Sequence, residues 1–285
     1  MKDDTQELDF FSYEDSLQRD VSIVFVGGKA TFYRQSLFKE PLHLNENSIR
    51  LAILGDLHGR IVPALNHLKN WLDFTDLHVD GILQVGDFGA YDLQTVLDPT
   101  TKNISKKDSN VLGFSDIREG SKDADKLFRD NGPFQGIPLY FTDGNHDDID
   151  FLRNRYISAY PEVNYLPSGS AVQFGSTNVQ VSVGSIGWHA TKQDVNAIRS
   201  AGVDILLSHD YKLNNAHKDR LSEITDGFHF FGHRKNEHSK PEEKSYRIPD
   251  YQIGMYEKSL DQQEIFFYAP KTFPGSENDY TSRIR

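Results

Sequence analysis

The chain has 285 residues, of which 37% are hydrophobic and 26% are charged, and this composition is typical of a globular protein with a sizeable core. Its formal net charge of −11 argues against nonspecific binding to nucleic acid or to an anionic membrane. It contains no cysteine, which excludes disulfide scaffolds and thiolate zinc sites. Because neither a signal peptide nor an apolar run of the roughly 20 residues that cross a bilayer is evident, we expect a cytoplasmic protein with no membrane partner.

Strand-like and helix-like segments alternate along most of the chain. Residues 1–20 form an acidic lead-in, expected to be either poorly ordered or a peripheral helix. The hydrophobic pattern predicts strands at 21–26, 51–54, 81–85, 137–141, 172–174, 179–183, 203–207, 228–231, 251–256 and 264–268. It predicts helices at 62–74, 149–156, 191–201 and 213–224. Gly175-Ser176 indicates a hairpin between two of these strands, and Thr191 is a candidate N-cap. This alternation predicts an α/β sandwich that forms a single domain over residues 21–285.

One segment, residues 90–131, interrupts the alternation. It is polar, rich in lysine, aspartate and serine, and only weakly periodic. Connections of this length in a compact domain are uncommon unless they have a function of their own. Two interpretations remain open, namely a disordered or decorative insertion and a lid over the functional site.

Five short runs each place a potential metal ligand directly after an apolar, strand-like stretch. They are Gly55-Asp56-Leu57-His58-Gly59, Gly86-Asp87-Phe88-Gly89, Gly144-Asn145-His146-Asp147, Ser208-His209-Asp210 and Gly232-His233. In open α/β sheets, functional groups collect in the loops at the carboxyl ends of the strands. A single run of this kind is more often a cap or a turn. Five in this order favour one metal site with mixed carboxylate, amide and imidazole ligands, a set that suits manganese, iron or zinc.

The order of these motifs resembles that of the calcineurin-like metallophosphoesterases over residues 50–238. The resemblance implies a metallophosphoesterase-type four-layer sandwich, in which two mixed β-sheets are flanked by helices. It also implies two divalent metal ions, with manganese or iron expected before zinc. Two such ions about 4 Å apart can activate a water molecule and clamp the oxygens of a phosphoryl group.

The same resemblance implies roles for individual residues. Asp56 and His58 are similar to ligands of the first metal, and Asp87 is similar to the carboxylate that bridges both metals. The remaining ligands of the second metal correspond to Asn145, His209 and His233.

Three further residues are candidates for contact with the substrate. His146 resembles the histidine that contacts the phosphate and protonates the leaving oxygen, with the neighbouring Asp147 as a candidate to orient it. Arg60 is a candidate to grip the phosphate, although a solvated arginine is an equal alternative. Trp188-His189 either contacts the substrate or packs at the surface.

The chain departs from the family pattern at two motifs. Members commonly end with Gly-His-x-His, whose second histidine completes the first metal, whereas Lys235 holds that position here and would repel a cation. His238 and Asn236 are the candidate replacements, and without one of them the first-metal site is weak or empty. The second motif lacks the longer Gly-Asp-x-x-Asp-Arg-Gly run, which argues against the Ser/Thr protein phosphatase branch.

The leading hypothesis is a metal-dependent phosphoesterase, in which a metal-bound hydroxide hydrolyses a phosphate ester of a phosphorylated small molecule. One alternative is a catalytically weak or inert scaffold with the same fold, as in a retromer subunit that resembles this family. A third hypothesis is a nuclease or RNA-debranching phosphodiesterase, which the acidic charge disfavours. The sequence leaves open the choice between monoester and diester substrates, and also the oligomeric state.

Overall fold

The computed structural model describes residues 47–97, 99–175, 178–213, 220–233, 237–260 and 264–268, together with the backbone of four N-terminal strands. The described strands are β1 (Gln6–Leu8), β2 (Val21–Val26), β3 (Lys29–Arg34), β4 (Pro41–Leu42), β5 (Ser48–Leu54), β6 (Gly81–Gln84), β7 (Leu139–Phe141), β8 (Val163–Tyr165), β9 (Ala171–Gly175), β10 (Gln180–Ile186), β11 (Ile205–Ser208), β12 (Phe228–Phe231), β13 (Ser245–Arg247), β14 (Ile253–Ser259) and β15 (Glu264–Tyr268). The α-helices are α1 (Ile61–Thr75), α2 (Pro99–Ser105), α3 (Phe114–Arg118), α4 (Lys122–Phe128), α5 (Ile149–Asn154) and α6 (Lys192–Ala201). Short 3₁₀ turns occur at Ser109–Leu112, Leu221–Glu223 and Pro241–Glu243.

The N-terminal strands form an antiparallel sheet in the order β1-β2-β3-β4. Strand β2 confirms the strand predicted at 21–26. The lead-in predicted over residues 1–20 contributes strand β1, which pairs with β2, so this part of it is neither coil nor helix.

Two mixed sheets organise the rest of the described chain. The six-stranded sheet has the order β15-β14-β5-β6-β7-β8, with β5 to β8 parallel and β14 antiparallel to both of its neighbours. The five-stranded sheet has the order β13-β12-β11-β10-β9, with β10 to β13 parallel and β9 antiparallel. All ligand-bearing runs follow parallel strands, so within each sheet they emerge at the same edge.

Three apolar clusters separate the layers. Alternate residues of a strand point to opposite faces of the sheet, so Ile49, Leu51 and Ile53 of β5 pack toward the five-stranded sheet, whereas Ala52 and Leu54 pack toward α1. On the outer face of the five-stranded sheet, α6 buries its apolar side against β10 and β11. The predicted arrangement of two mixed sheets flanked by helices is therefore confirmed.

Most of the predicted elements occur close to their expected positions. Helix α1 covers the 62–74 prediction, and the hairpin predicted around Gly175 joins β9 to β10. Thr191 caps α6 through a capping box with Asp194, because each side chain accepts a hydrogen bond from the other residue's backbone N–H.

The helix predicted at 213–224 is wrong in its described part. Lys212 and Arg220 form an antiparallel β-bridge, and Leu221–Glu223 is a 3₁₀ turn. Residues 214–219 of this prediction lie outside the described residues. The helical spacing that suggested it comes from Leu213, Leu221 and Ile224, which all pack into the cluster beneath α6.

Residues 90–131 are folded wherever the structure describes them. Helices α3 and α4 and a 3₁₀ turn bury Val111, Phe114, Ile117, Leu127 and Phe128, and α2 buries Thr101. Most of these side chains extend the core beside α1, so the interpretation as a disordered insertion is wrong for the described residues. The segment looked aperiodic because each of its helices has only five to seven residues.

The longest α-helix in the described part of the chain, α1, has 15 residues. A bilayer-spanning helix needs about 20. Accordingly, the described residues contain no candidate membrane span.

His229 of β12 is a neutral, fully buried histidine. Its Nε2 lies 2.7 Å from Ser208 Oγ and its Nδ1 lies 2.9 Å from Ser245 Oγ, so both ring nitrogens are satisfied by hydroxyl groups. Burial lowers the pKa of His229 to about 3. Because the unfolded chain takes up this proton near pH 6.5, the contribution of the neutral ring to stability is complete above that pH and is lost as the pH falls.

Replacing His229 with Gln should flatten the acid side of the stability profile. Between pH 6.5 and 4.5 the wild type should lose about 2 kcal/mol more of its unfolding free energy than H229Q, because the variant has no buried imidazole to protonate. Urea denaturation at several pH values, with a chelator present, measures this difference. The exposed His238 supplies a control, since H238Q should keep the wild-type slope. If the difference in unfolding free energy between wild type and H229Q stayed the same from about pH 6.5 to 4.5, His229 would not be a buried histidine that is neutral in the folded protein.

Candidate metal centre

The five ligand-bearing runs follow β5, β6 and β7 in one sheet and β11 and β12 in the other. The loops of the two sheets meet, because His209 lies after β11 and yet approaches residues of the six-stranded sheet. Its Nε2 is 3.4 Å from Asp87 Oδ2 and its Nδ1 is 3.9 Å from Asp56 Oδ1. The structure therefore brings together side chains that are more than 100 positions apart in the sequence.

Among the described residues, two groups of side chains are compact enough to hold a metal ion. The first consists of His58, Asp87 and His146, and the second of Asp87, His209 and His233. Within each group, one potential ligand atom per residue lies within 4.8 Å of the others. Asp87 belongs to both groups, which is the position expected of a carboxylate that bridges two cations. Mixed carboxylate and imidazole donors fit manganese, iron or zinc.

Two further predicted ligands adjoin these groups. Asn145 Oδ1 lies 3.0 Å from His209 Nε2, so the amide oxygen borders the second group. Asp56 is buried and accepts the backbone N–H of His233 at 3.1 Å. Asp87 and five of the other six predicted metal ligands thus form one cluster.

The charges of this cluster favour a cation. Burial opposes ionisation of Asp87, but the neighbouring His209 overcomes that cost and holds the pKa of Asp87 below its usual range. Burial likewise disfavours a charged His209, yet the carboxylates of Asp87 and Asp56 raise its pKa to about 10. Burial also raises the pKa of Asp56, and it lowers the pKa of His58. Buried carboxylates that stabilise a positive charge on a neighbouring imidazole this strongly would also stabilise a divalent cation.

The backbone at the cluster adopts a conformation that side-chain-bearing residues seldom take. His58, Asp87 and His233 have φ values of 44°, 52° and 57°. A left-handed backbone costs a non-glycine residue on the order of 1 kcal/mol, and such strain concentrates at functional sites. All three residues are predicted ligands, so the strain coincides with the proposed chemistry.

Two glycines make room for the carboxylates. A Cβ atom on Gly144 would lie 2.2 Å from Asp87 Oδ1, and one on Gly232 would lie 2.0 Å from Asp56 Oδ1. Each of these glycines directly precedes a predicted ligand, Asn145 or His233. The Gly-Asn-His and Gly-His motifs therefore have a steric basis.

Asp147 holds the loops together. Its two oxygens accept backbone N–H groups of Gly144, Phe88, Gly89 and Ala90 at 2.7–3.2 Å. Burial, with the nearby Asp87, raises the pKa of Asp147 to about 6. The sequence suggested that Asp147 orients His146, whereas these contacts show it bracing the loop after β6 against the loop after β7.

His146 is anchored beside the first group. Its backbone N–H donates to Asp87 Oδ1 at 2.8 Å, and its ring lies 5.3 Å from the ring of His58 at 69°. It was expected to contact the phosphate without binding metal. The structure also places it near enough to Asp87 and His58 to be a ligand.

Arg60 is buried and paired within the protein. Its Nε donates to Asp108 Oδ2 at 2.9 Å, and its Nη1 donates to the hydroxyl of Tyr251, whose ring lies 6.3 Å from that of His58. Only 8% of the Arg60 side chain is exposed. These contacts engage the guanidinium group that was predicted to grip the phosphate. The pair with Asp108 also ties the 90–131 segment to the start of α1.

The end of the Gly-His motif supplies no further ligand among the described residues. His238 is exposed and belongs to neither group. Lys235 and Asn236 lie outside the described residues. The interpretation of His238 as a first-metal ligand is therefore without support from this arrangement.

Trp188, for which the sequence allows either substrate contact or surface packing, is a neighbour of the cluster. Its ring lies 5.9 Å from that of His209 and 5.0 Å from that of His233. Trp188 therefore forms an aromatic wall at the second group. The position of Trp188 in the sequence indicates this contact, because it follows β10 at the same sheet edge as the ligands after β11 and β12.

No protein-family model matches this chain, and no curated protein is significantly similar to it. The case for a metal centre is therefore carried by the chemistry and geometry of these side chains.

Manganese binding should depend on the shared carboxylate. D87N should lower the affinity for Mn²⁺ at least about 100-fold, because even residues that only support metal ligands contribute 10–100-fold. H238A should bind as the wild type does, since this side chain is exposed and outside both groups. Isothermal titration calorimetry on chelator-stripped protein gives the affinities. Equal affinity of D87N and wild type for Mn²⁺ would show that Asp87 is not a metal ligand.

Loss of the Asp147 brace should lower the stability of the protein. D147A leaves four buried amide groups without their acceptor and should lower the unfolding free energy by about 3–5 kcal/mol. The adjacent Asp148 caps α5 through the backbone N–H of Phe151 and accepts the hydroxyl of Thr95, so D148A should cost only about 1–2 kcal/mol. Urea unfolding in a chelating buffer compares the two variants. A loss in D147A no larger than in D148A would refute the brace.

Proposed function

We propose that the protein is a metal-dependent phosphoesterase of the calcineurin-like metallophosphoesterase type, with the four-layer sandwich of that family. The observation that carries the proposal is the position of Asp87, which is shared by two ligand groups drawn from both sheets. The order of the five motifs in the sequence and their convergence in space support the same conclusion.

The residues fit a pair of divalent cations, with manganese or iron favoured over zinc. Asp56 and His58 would hold one cation and Asp87 would be shared. The other cation would be held by Asn145, His209 and His233. Such a pair supplies a nucleophilic water at neutral pH and offsets the charge that develops on a phosphoryl group.

His146 would act on the leaving group. Its backbone is fixed to Asp87, and its half-buried ring lies at the edge of the ligand cluster. An imidazole in this position can donate a proton to the departing oxygen of a phosphate ester. The substrate class that this arrangement suits best is a phosphorylated small molecule, because the chain is acidic and would repel nucleic acid. The cytoplasmic location inferred from the sequence stays a prediction.

A binding scaffold with the same fold is the second candidate. Two observations favour it, namely the lysine in the position of the last expected ligand and the burial of Arg60 against Asp108. Both weaken the half of the site that would hold the first metal and grip the phosphate.

Hydrolysis should require the ligands that unite the two groups. D87A and N145A should each lower the Mn²⁺-dependent hydrolysis of p-nitrophenyl phosphate and of bis(p-nitrophenyl) phosphate at least about 100-fold, while the circular dichroism spectrum stays that of the folded protein. N154A, on the exposed face of α5, should keep the wild-type rate. Assays with Mn²⁺, Fe²⁺, Zn²⁺ and Mg²⁺ establish the metal and the ester class.

Full turnover in D87A would overturn the enzyme proposal. A wild type that binds none of the four metals and hydrolyses neither ester would favour the scaffold.

A further inference from the structure

A buried carboxylate outside the ligand set holds one face of a partly exposed histidine. Asp143 is fully buried and its Oδ2 lies 3.0 Å from Nδ1 of His189, whose backbone N–H donates to the same oxygen at 3.0 Å. Its other oxygen accepts the hydroxyl of Tyr165 at 2.9 Å. These contacts fix the ring of His189 at Nδ1. The side chain of His189, whose other ring nitrogen is Nε2, is 36% exposed.

This pair borders the candidate metal centre. Asp143 precedes the ligand Asn145 by two positions, and its carbonyl accepts the backbone N–H of Trp188 at 3.0 Å. Trp188, the neighbour of His189 in the chain, packs on the rings of His209 and His233. The loop that carries His189 is thus attached to the centre on two sides.

The loop is shaped around the carboxylate. A Cβ atom on Gly187 would lie 2.1 Å from Asp143 Oδ1, so only glycine permits this approach. The exposed Arg153 of α5 donates to the carbonyl of His189 at 3.3 Å, which adds a cationic group at this rim. With Nδ1 of His189 held at Asp143, the other ring nitrogen can donate an N–H to an anionic oxygen.

We propose that His189 is a substrate-contacting residue of this site, which donates Nε2–H to a phosphoryl oxygen, and that Asp143 is its positioning residue. This inference rests on the proposed function, because it names a further contact for the same substrate. A histidine that merely anchored its loop would need only the contacts at Nδ1 and at the backbone N–H. An anchoring role gives no function to the exposed edge of this ring, which lies on a loop attached to the candidate metal centre.

Two isosteric replacements separate contact from anchoring. In H189N the side-chain amide can still donate to Asp143 but lacks the outer nitrogen, whereas in H189Q the amide can reach the position of Nε2 but gives up the bond to Asp143. We expect H189N to raise KM for p-nitrophenyl phosphate, and to weaken the binding of inorganic phosphate to the Mn²⁺-loaded protein, by about tenfold or more. H189Q should keep more of both than H189N. D143N should share the loss, and H238N should behave as wild type.

The measurements include readouts other than turnover. Calorimetry gives the phosphate affinity, elemental analysis checks that the Mn²⁺ content is unchanged, and thermal unfolding checks that each variant is folded. H189N equal to the wild type in KM and in phosphate affinity would overturn the contact, as would a loss in H189Q larger than in H189N. If the wild type binds phosphate without hydrolysing esters and H189N loses that binding, the contact stands and the proposed catalysis fails. If the Mn²⁺-loaded wild type neither hydrolyses esters nor binds phosphate, both proposals fail.

Discussion

The contact between Asp87 and His209 is the point on which the rest of the site depends. Asp87 follows a strand of the six-stranded sheet and His209 follows a strand of the five-stranded sheet, so their 3.4 Å approach joins the ligand loops of two separate layers. Each side chain sets the charge of the other, because burial alone would neutralise both. The surrounding glycines, strained backbone and amide contacts all serve to keep these two groups together.

The sequence predicted those functional residues and helices that short local patterns mark. Strand ends are marked by a change from apolar to polar residues, so the loops that carry Asp56, Asp87, Asn145, His209 and His233 could be found without coordinates. The parallel strands then explain why these loops share an edge. Helix α1 was predictable for a similar reason, since it has a long apolar face, and the start of α6 was marked by its N-cap Thr191.

Contacts between distant positions were beyond the reach of pattern analysis. Asp147 was assigned to His146 because they are neighbours in the sequence, yet its carboxylate spans two loops to reach amides near Phe88. Arg60 follows a ligand motif, but Asp108, 48 positions away, neutralises it. The spacing of Leu213, Leu221 and Ile224 suggested a helix because residues on a turn and a bridge can face one cluster as well as residues on one helix face can.

The left-handed residues at the centre carry a wider consequence. Glycine would adopt those angles without strain, yet His58, Asp87 and His233 occupy them with side chains that the chemistry needs. At these three ligands the folded protein is therefore less stable than glycine at the same backbone angles would allow. Selection for thermal tolerance alone would favour glycine at these three positions, which makes them a trade-off between durability and activity.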